Sequence, residues 1–300
     1  MKHILGALLF LIFLHSANAE TKNTEIIKIE TIEGESLIFA GDGAIYETST
    51  PEVLSAAKSA LELRRTVKLE LLHTSNLEDV LGNRNIVSKI IIQSEKSSFQ
   101  KTTNTPNQKD NYDPTLLMST YITDVDTFEQ ANQLFKTMRT RMRRKSQCYN
   151  RAHVWAWELH RNFIEDQRVQ VGKMWLFFTK KYIRNYNYKW WFHITPYLNH
   201  NGKALAMDRS YTRGPVETKQ WTDIFIQSRE NCTEVNRYTD YENFQNSGDC
   251  FIIKTSVHYW QPWHIKNLEK KGQSREDWQQ FELKKAYKNA VGWRARVPKL

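Results

Sequence analysis

Cysteine is scarce in this chain, with three residues, Cys148, Cys232 and Cys250. None of them form a Cys-x-x-Cys pair. His-Glu-x-x-His is missing as well, so zinc-protease chemistry has no support. No glycine-rich phosphate loop occurs, and no internal repeat. Beyond Leu14 no run is long and apolar enough to cross a bilayer. No cysteine follows the first apolar run, so a lipoprotein anchor is not expected.

The first residues set the expected compartment. Lys2 and His3 are followed by an apolar run from Ile4 to Leu14 and by Ala17-Asn18-Ala19. A short basic start, a brief apolar stretch and an A-x-A site make residues 1–19 a Sec signal peptide. The mature chain is expected to begin near Glu20 and to be exported, secreted or periplasmic, soluble and monomeric. Hydrophobic content is 40%, aromatic content 12%, and there are 10 Trp, enough for a packed core. The formal net charge is +10, part of it in the run Arg139, Arg141, Arg143, Arg144 and Lys145. Such a run reads first as a solvated helix end favoured by the helix dipole. Export makes nucleic acid an unexpected partner.

Composition divides the chain after the signal peptide. Residues 20–93 read as a small α+β domain. Its strands are Glu25–Ile32, Ser36–Phe39, Ala44–Tyr46, Thr66–Leu72 and Ile86–Gln93, with a helix opened by Pro51. Residues 94–113 are polar and poor in apolar anchors, which predicts an exposed, protease-sensitive linker. Residues 114–300 form the second unit. Asp126 and Glu129 have capping-box spacing for a helix presenting Phe128, Ala131, Phe135 and Met138. A second helix is expected from Ser146, then strands at Lys173–Thr179, Lys189–Tyr197 and Lys203–Asp208. A helix holding Trp221 and Phe225 follows, and a last one after Ser274.

Cys232 and Cys250 lie close together among polar residues. A disulfide between them would close a short loop, worth roughly 3 kcal/mol in the chain-entropy picture. That pairing leaves Cys148 as the odd thiol in an oxidising compartment, a candidate nucleophile. It opens the helix from Ser146, whose apolar face comprises Ala152, Trp155, Ala156, Leu159 and Phe163. The N-terminal end of a helix favours a thiolate and offers N–H groups to an oxyanion. An inert buried cysteine is the plainer alternative. A nucleophilic cysteine needs a base and a group to orient that base. His193, in Trp190-Trp-Phe-His-Ile-Thr-Pro196, is the best base. Asp208, ending Ala204-Leu-Ala-Met-Asp208, lies near it if the two strands pair through the Asn199–Gly202 turn. Taken singly, His193 fits a hydrogen-bonded core histidine and Asp208 a strand-end turn residue. His153, His160, His258 and His264 have no metal-site spacing.

The blocks Cys148-Tyr-Asn-Arg-Ala-His153, Trp190-Trp-Phe-His193, Ala206-Met-Asp208 and Gly214-Pro-Val with Trp221 resemble the secreted bacterial protein-glutaminases. Over roughly residues 114–265 the order Cys, His, Asp is the family's, with its motif positions at Cys148, His193 and Asp208. The resemblance implies an α+β fold with a papain- or transglutaminase-like core, in which the helix bearing the cysteine packs on an antiparallel sheet. It implies hydrolytic deamidation of accessible glutamine side chains in proteins or peptides through a cysteine thioester, without metal or cofactor. It also makes residues 20–93 a candidate inhibitory pro-region, with a targeting domain as the alternative. Transglutaminase or cysteine-protease activity would use the same triad. A secreted binding module without catalysis is the alternative from another class.

Overall fold

The computed structural model describes residues 20–73, 84–97, 121–143, 146–235, 248–257 and 275–298. The signal peptide expected at 1–19, most of the linker expected at 94–113, Arg144, Lys145, and the stretch holding His258 and His264 lie outside the described residues.

Five strands close into a barrel at the N-terminal end of the chain. They are β1 (Thr21–Ile32), β2 (Glu35–Ala40), β3 (Ile45–Thr48), β4 (Arg65–His73) and β5 (Asn85–Lys96), in the order β1-β2-β3-β5-β4. Leu37, Ile38, Phe39, Ile45, Val67, Leu69 and Val87 are fully buried. Helix α1 (Pro51–Leu63) begins with Thr50, whose hydroxyl accepts from the Val53 amide, and with proline at its first position. It turns Val53, Ala57 and Ala60 inward.

The second unit is a seven-stranded sheet in the order β12-β11-β10-β9-β14-β13, with β6 beside β10. Its strands are β6 (Asp124–Val125), β9 (Gly172–Phe178), β10 (Phe192–His200), β11 (Lys203–Ala206), β12 (Val216–Glu217), β13 (Thr233–Val235) and β14 (Cys250–Ser256). A small hairpin, β7 (Phe163–Ile164) and β8 (Gln167–Arg168), stands apart. The core ladder β11-β10-β9-β14 is antiparallel, while β6 and β13 pair parallel to their neighbours. Asn201 and Gly202, both at positive φ, form the two-residue turn between β10 and β11.

Every residue of β9 is buried, the mark of a strand covered on both faces. Helix α3 (Cys148–His160) packs against β9 and β10 on one side and against α6 (Arg275–Ala290) on the other. This explains why His153, Val154 and Trp157 are buried together with Ala152, Trp155, Ala156 and Leu159. Phe163, assigned to that apolar face from spacing, falls beyond the helix end and is exposed. The helix also starts two residues later than Ser146, with Gln147 as its N-cap.

Two further boundaries differ from the sequence reading. Helix α2 (Phe128–Thr137) is capped by Thr127 and Gln130, one residue on from the Asp126–Glu129 pair: the Thr127 hydroxyl accepts from the Gln130 amide, and the Gln130 side chain accepts from the Thr127 amide. Phe128 is consequently exposed, and Leu134 joins Ala131 and Phe135 on the buried face. Lys189–Trp191 does not extend β10. A short helix, α4 (Lys180–Asn185), and an irregular stretch come first.

That stretch joins the sheet to the barrel. Ile45 donates its amide to the Lys189 carbonyl (2.6 Å), Trp191 donates its amide to Gly43 (2.9 Å), and the Trp191 indole donates to Ala40 (2.8 Å). Gly43 has φ +87°, and a Cβ there would lie 3.1 Å from the Phe192 carbonyl oxygen. Only glycine suits both the conformation and the close approach. Lys180 and Arg184 of α4 reach Glu30 (3.2 Å) and Glu33 (3.6 Å) of the barrel. The lysine-rich stretch after β9 therefore faces the barrel.

Candidate active site

Cys148 is half-buried at the first turn of α3. Gln147 places no side-chain cap on the helix start. The Gln147 carbonyl accepts from the Asn150 and Arg151 amides, and its side-chain oxygen accepts from the Asn150 amide group (2.9 Å). The first N–H groups of a helix have no intrahelical acceptor, so this end suits a developing anion.

The second residue of β10 is His193, paired with Leu176 in the register of β9. The hairpin register pairs Tyr197 with Ala206, and the Met207 amide continues it by donating to Pro196 (2.9 Å). Extending it by one residue sets Asp208 opposite Thr195, two positions from His193 on the same face. The side chains close that diagonal: His193 Nε2 lies 2.7 Å from Asp208 Oδ2. The carboxylate has no proton to give, so Nε2 carries it. Nδ1 is thereby left free of the carboxylate, and Cys148 lies close enough to His193 to favour its protonated form.

Asp208 is fully engaged. Its Oδ2 also accepts from the Trp221 indole (2.9 Å), and its Oδ1 accepts from the Ser210 amide (3.1 Å). The second contact spans two residues and is an Asx turn, so Asp208 is both a turn residue and the partner of His193. Burial pushes the Asp208 carboxyl up, but the charge and hydrogen bond of His193, with the donors Trp221 and Ser210, hold it below the usual range. Burial pushes the His193 imidazole down. The Asp208 carboxylate outweighs this, with Cys148 adding to it, and the result is a pKa raised to about 9.

Aromatic rings wall the imidazole. Phe225 is 4.6 Å away between centroids, Tyr211 5.2 Å, Trp190 5.9 Å and Trp221 5.9 Å. Trp221 belongs to α5 (Thr218–Thr222), and Phe225 follows in the turn after it. The sequence marked Trp221 and Phe225 only as helix residues. The spacing Asp208-x-Ser210 was the available sign of the Asx turn, whereas the indole contact arises from tertiary packing with no local signature.

Cys148 and His193 open onto a cleft of about 470 Å³ between the barrel and the sheet unit. The barrel contributes Lys22, Asp42 and Ala44 to its lining. The other cysteines, Cys232 and Cys250, form a disulfide that ties the segment before β13 to the start of β14. His153 and His160 lie inside the fold. His153 Nδ1 is 2.5 Å from the buried Lys173 ammonium, and His160 Nδ1 is 2.9 Å from the Val169 carbonyl.

The model of the family described as Glutaminase matches residues 125–225. No curated protein matches the sequence. Among solved structures, the chain resembles the crystal structure of pro-protein-glutaminase at 13% identity, with 94% of this chain and 98% of that one covered and a TM-score of 0.44. A mutant of pro-protein-glutaminase matches at 14% identity, covering 92% and 96%, also with a TM-score of 0.44. The NMR structure of protein-glutaminase from Chryseobacterium proteolyticum matches at 13% identity, covering 47% and 77%, with a TM-score of 0.31. The segment that matches the glutaminase family model holds Cys148, His193 and Asp208.

Proposed function

We propose that this protein hydrolyses accessible glutamine side chains in proteins or peptides to glutamate, with Cys148 as nucleophile, His193 as acid and base, and Asp208 as the group that orients His193. The observation that carries the reading is the buried His193–Asp208 pair, with His193 and Cys148 lining one cleft inside the matched segment.

The chemistry follows from the two faces of the imidazole. With Nε2 held by Asp208, Nδ1 faces the thiol and takes its proton. The Cys148 sulfur then adds to the amide carbon of a glutamine side chain. The oxygen gains the negative charge, and N–H groups at the start of α3 stabilise it. The carbon–nitrogen bond breaks as His193 passes its proton to the departing ammonia. The thioester that remains is attacked by water, from which His193 removes a proton. Glutamate is released and the thiol restored. The aromatic wall keeps bulk water from the His193–Asp208 pair and preserves its strength.

The barrel is read as a pro-region because its β2–β3 turn supplies Asp42 and Ala44 to the cleft and is pinned at Gly43 to Trp191, just before the strand that carries His193. Clipping the chain within residues 98–113 is then expected to raise ammonia release, and an unchanged rate would count against this role.

Mass spectrometry of a glutamine-rich protein substrate tests the reaction. Deamidation leaves chain length intact and adds about one dalton per converted side chain as the thioester goes to water. Cross-linked products would assign a transglutaminase, and cleaved chains a protease. An unaltered substrate would favour a binding module.

A further inference from the structure

The cleft is electrostatically one-sided. Lys22, Arg143, Arg151 and Arg209 line it, against one lining carboxylate among the described residues, Asp42 of the barrel. Asp42 is engaged locally, accepting from the Tyr46 hydroxyl (2.8 Å) and the Ala44 amide (3.1 Å). Elsewhere the basic residues meet acids: Arg139 with Glu158 (2.8 Å), Arg84 with Glu35 (3.2 Å) and Lys181 with Asp249 (3.3 Å). Around the cleft the arginines are held by neutral groups. Arg151 donates from Nε to the Ser210 hydroxyl (3.2 Å) and also bonds the Ser146 carbonyl. Arg209 donates to the Phe135 carbonyl (2.5 Å) and rests over the Phe135 ring at 5.2 Å. Arg143 is exposed, its guanidinium beside Gly292 and its backbone amide bonded to the Ala290 carbonyl. These contacts position the cations without neutralising them. Trp155, Trp190, Phe192 and Tyr211 supply low-dielectric walls, and a cleft of one sign with such walls concentrates the field on what enters.

The three arginines sit next to the reacting groups in the chain: Arg143 shortly before Cys148, Arg151 one turn after it, and Arg209 directly after Asp208. We infer that they form a cationic collar which selects polypeptides whose target glutamine is flanked by aspartate or glutamate. This rests on the deamidase reading and names its substrate class.

The test uses the full chain, intact and clipped within residues 98–113, with three peptides that differ only in the residues flanking one glutamine: glutamate, serine or lysine. Ammonia release gives kcat/KM. At low salt the glutamate peptide is expected to exceed the lysine peptide by about tenfold. The gap should narrow at about 0.5 M salt, where the screening length is a few ångströms. In Arg143→Gln/Arg209→Gln the glutamate-to-serine ratio should fall toward one, whereas Arg141→Gln, on a residue that does not line the cleft, should leave that ratio where it was. A shift from Arg141→Gln as large as that from the double variant would overturn the collar in favour of overall charge. Equal kcat/KM for the three peptides would overturn the collar and leave the deamidase reading standing. Ammonia from none of them, and none from a glutamine-rich protein, would overturn both.

Discussion

The imidazole of His193 donates from Nε2 to Oδ2 of Asp208 across 2.7 Å, and both residues are almost wholly buried. This contact fixes the tautomer and leaves the other ring nitrogen for Cys148 in the proposed reaction. Asp208→Asn keeps the size of the side chain and removes its charge. The rate of ammonia release is expected to fall by about 10³–10⁴-fold, the scale for losing the orienting carboxylate of such a triad. Steady-state kinetics on one glutamine peptide measures it; a loss below tenfold would separate Asp208 from the reaction.

The same pair makes stability depend on pH. The folded pKa of His193, about 9, is above its ordinary 6.5. Its contribution to folding is full below the ordinary value and is lost as pH rises through about 9. The Asp208 carboxyl is held low, so its contribution is present above the ordinary carboxylate range and lost as pH falls through the depressed value. Urea denaturation at about pH 6 and about pH 9.5 should show the wild type losing more stability over that interval than Asp208→Asn. Parallel curves for the two proteins would contradict the pairing.

Trp221 completes the shell of the carboxylate. Trp221→Phe retains a ring and deletes the N–H that reaches Asp208 at 2.9 Å. A hydrogen bond to a buried charge is worth about 1.5–3 kcal/mol, so the urea midpoint should drop accordingly. Because Asp208 loses a donor that holds it ionised, the acid limb of the stability curve should also move to higher pH. An unmoved acid limb would make Trp221 a packing residue alone.

The strand that supports His193 depends on a glycine. A Cβ at Gly172 would fall 2.1 Å from the ring of Tyr197, its partner across β9 and β10. Gly172→Ala should destabilise the fold by about 1–3 kcal/mol, since the buried ring or the strand must shift. Tyr197→Leu in the same background should recover part of that loss, as read from thermal midpoints.

The Cys232–Cys250 bond closes a loop with a sequence separation of 18. Replacing both cysteines with serine should cost about 3 kcal/mol. One equivalent of iodoacetamide label should be taken up by the folded, unreduced protein, at Cys148, as peptide mapping would show.

What the sequence carried depended on how local each cause was. The barrel strands, the Asn201-Gly202 turn and the buried face of α3 follow from alternation, turn chemistry and helical spacing. The disulfide followed from proximity and compartment. Helix starts slipped by one residue at α2 and by two at α3, because several polar residues near each helix start satisfy the same rule. The Trp221 contact and the gathering of cations at the cleft stayed hidden, because only tertiary packing sets the indole beside Asp208 or brings Arg209 to one cleft with Arg143 and Arg151.

The most direct measurement is ammonia release from a glutamine-rich protein by the wild type and by Cys148→Ala, each clipped within residues 98–113 and each checked for folding by circular dichroism. The account predicts release by the wild type and only background from the folded variant. Release that persists in Cys148→Ala would contradict it.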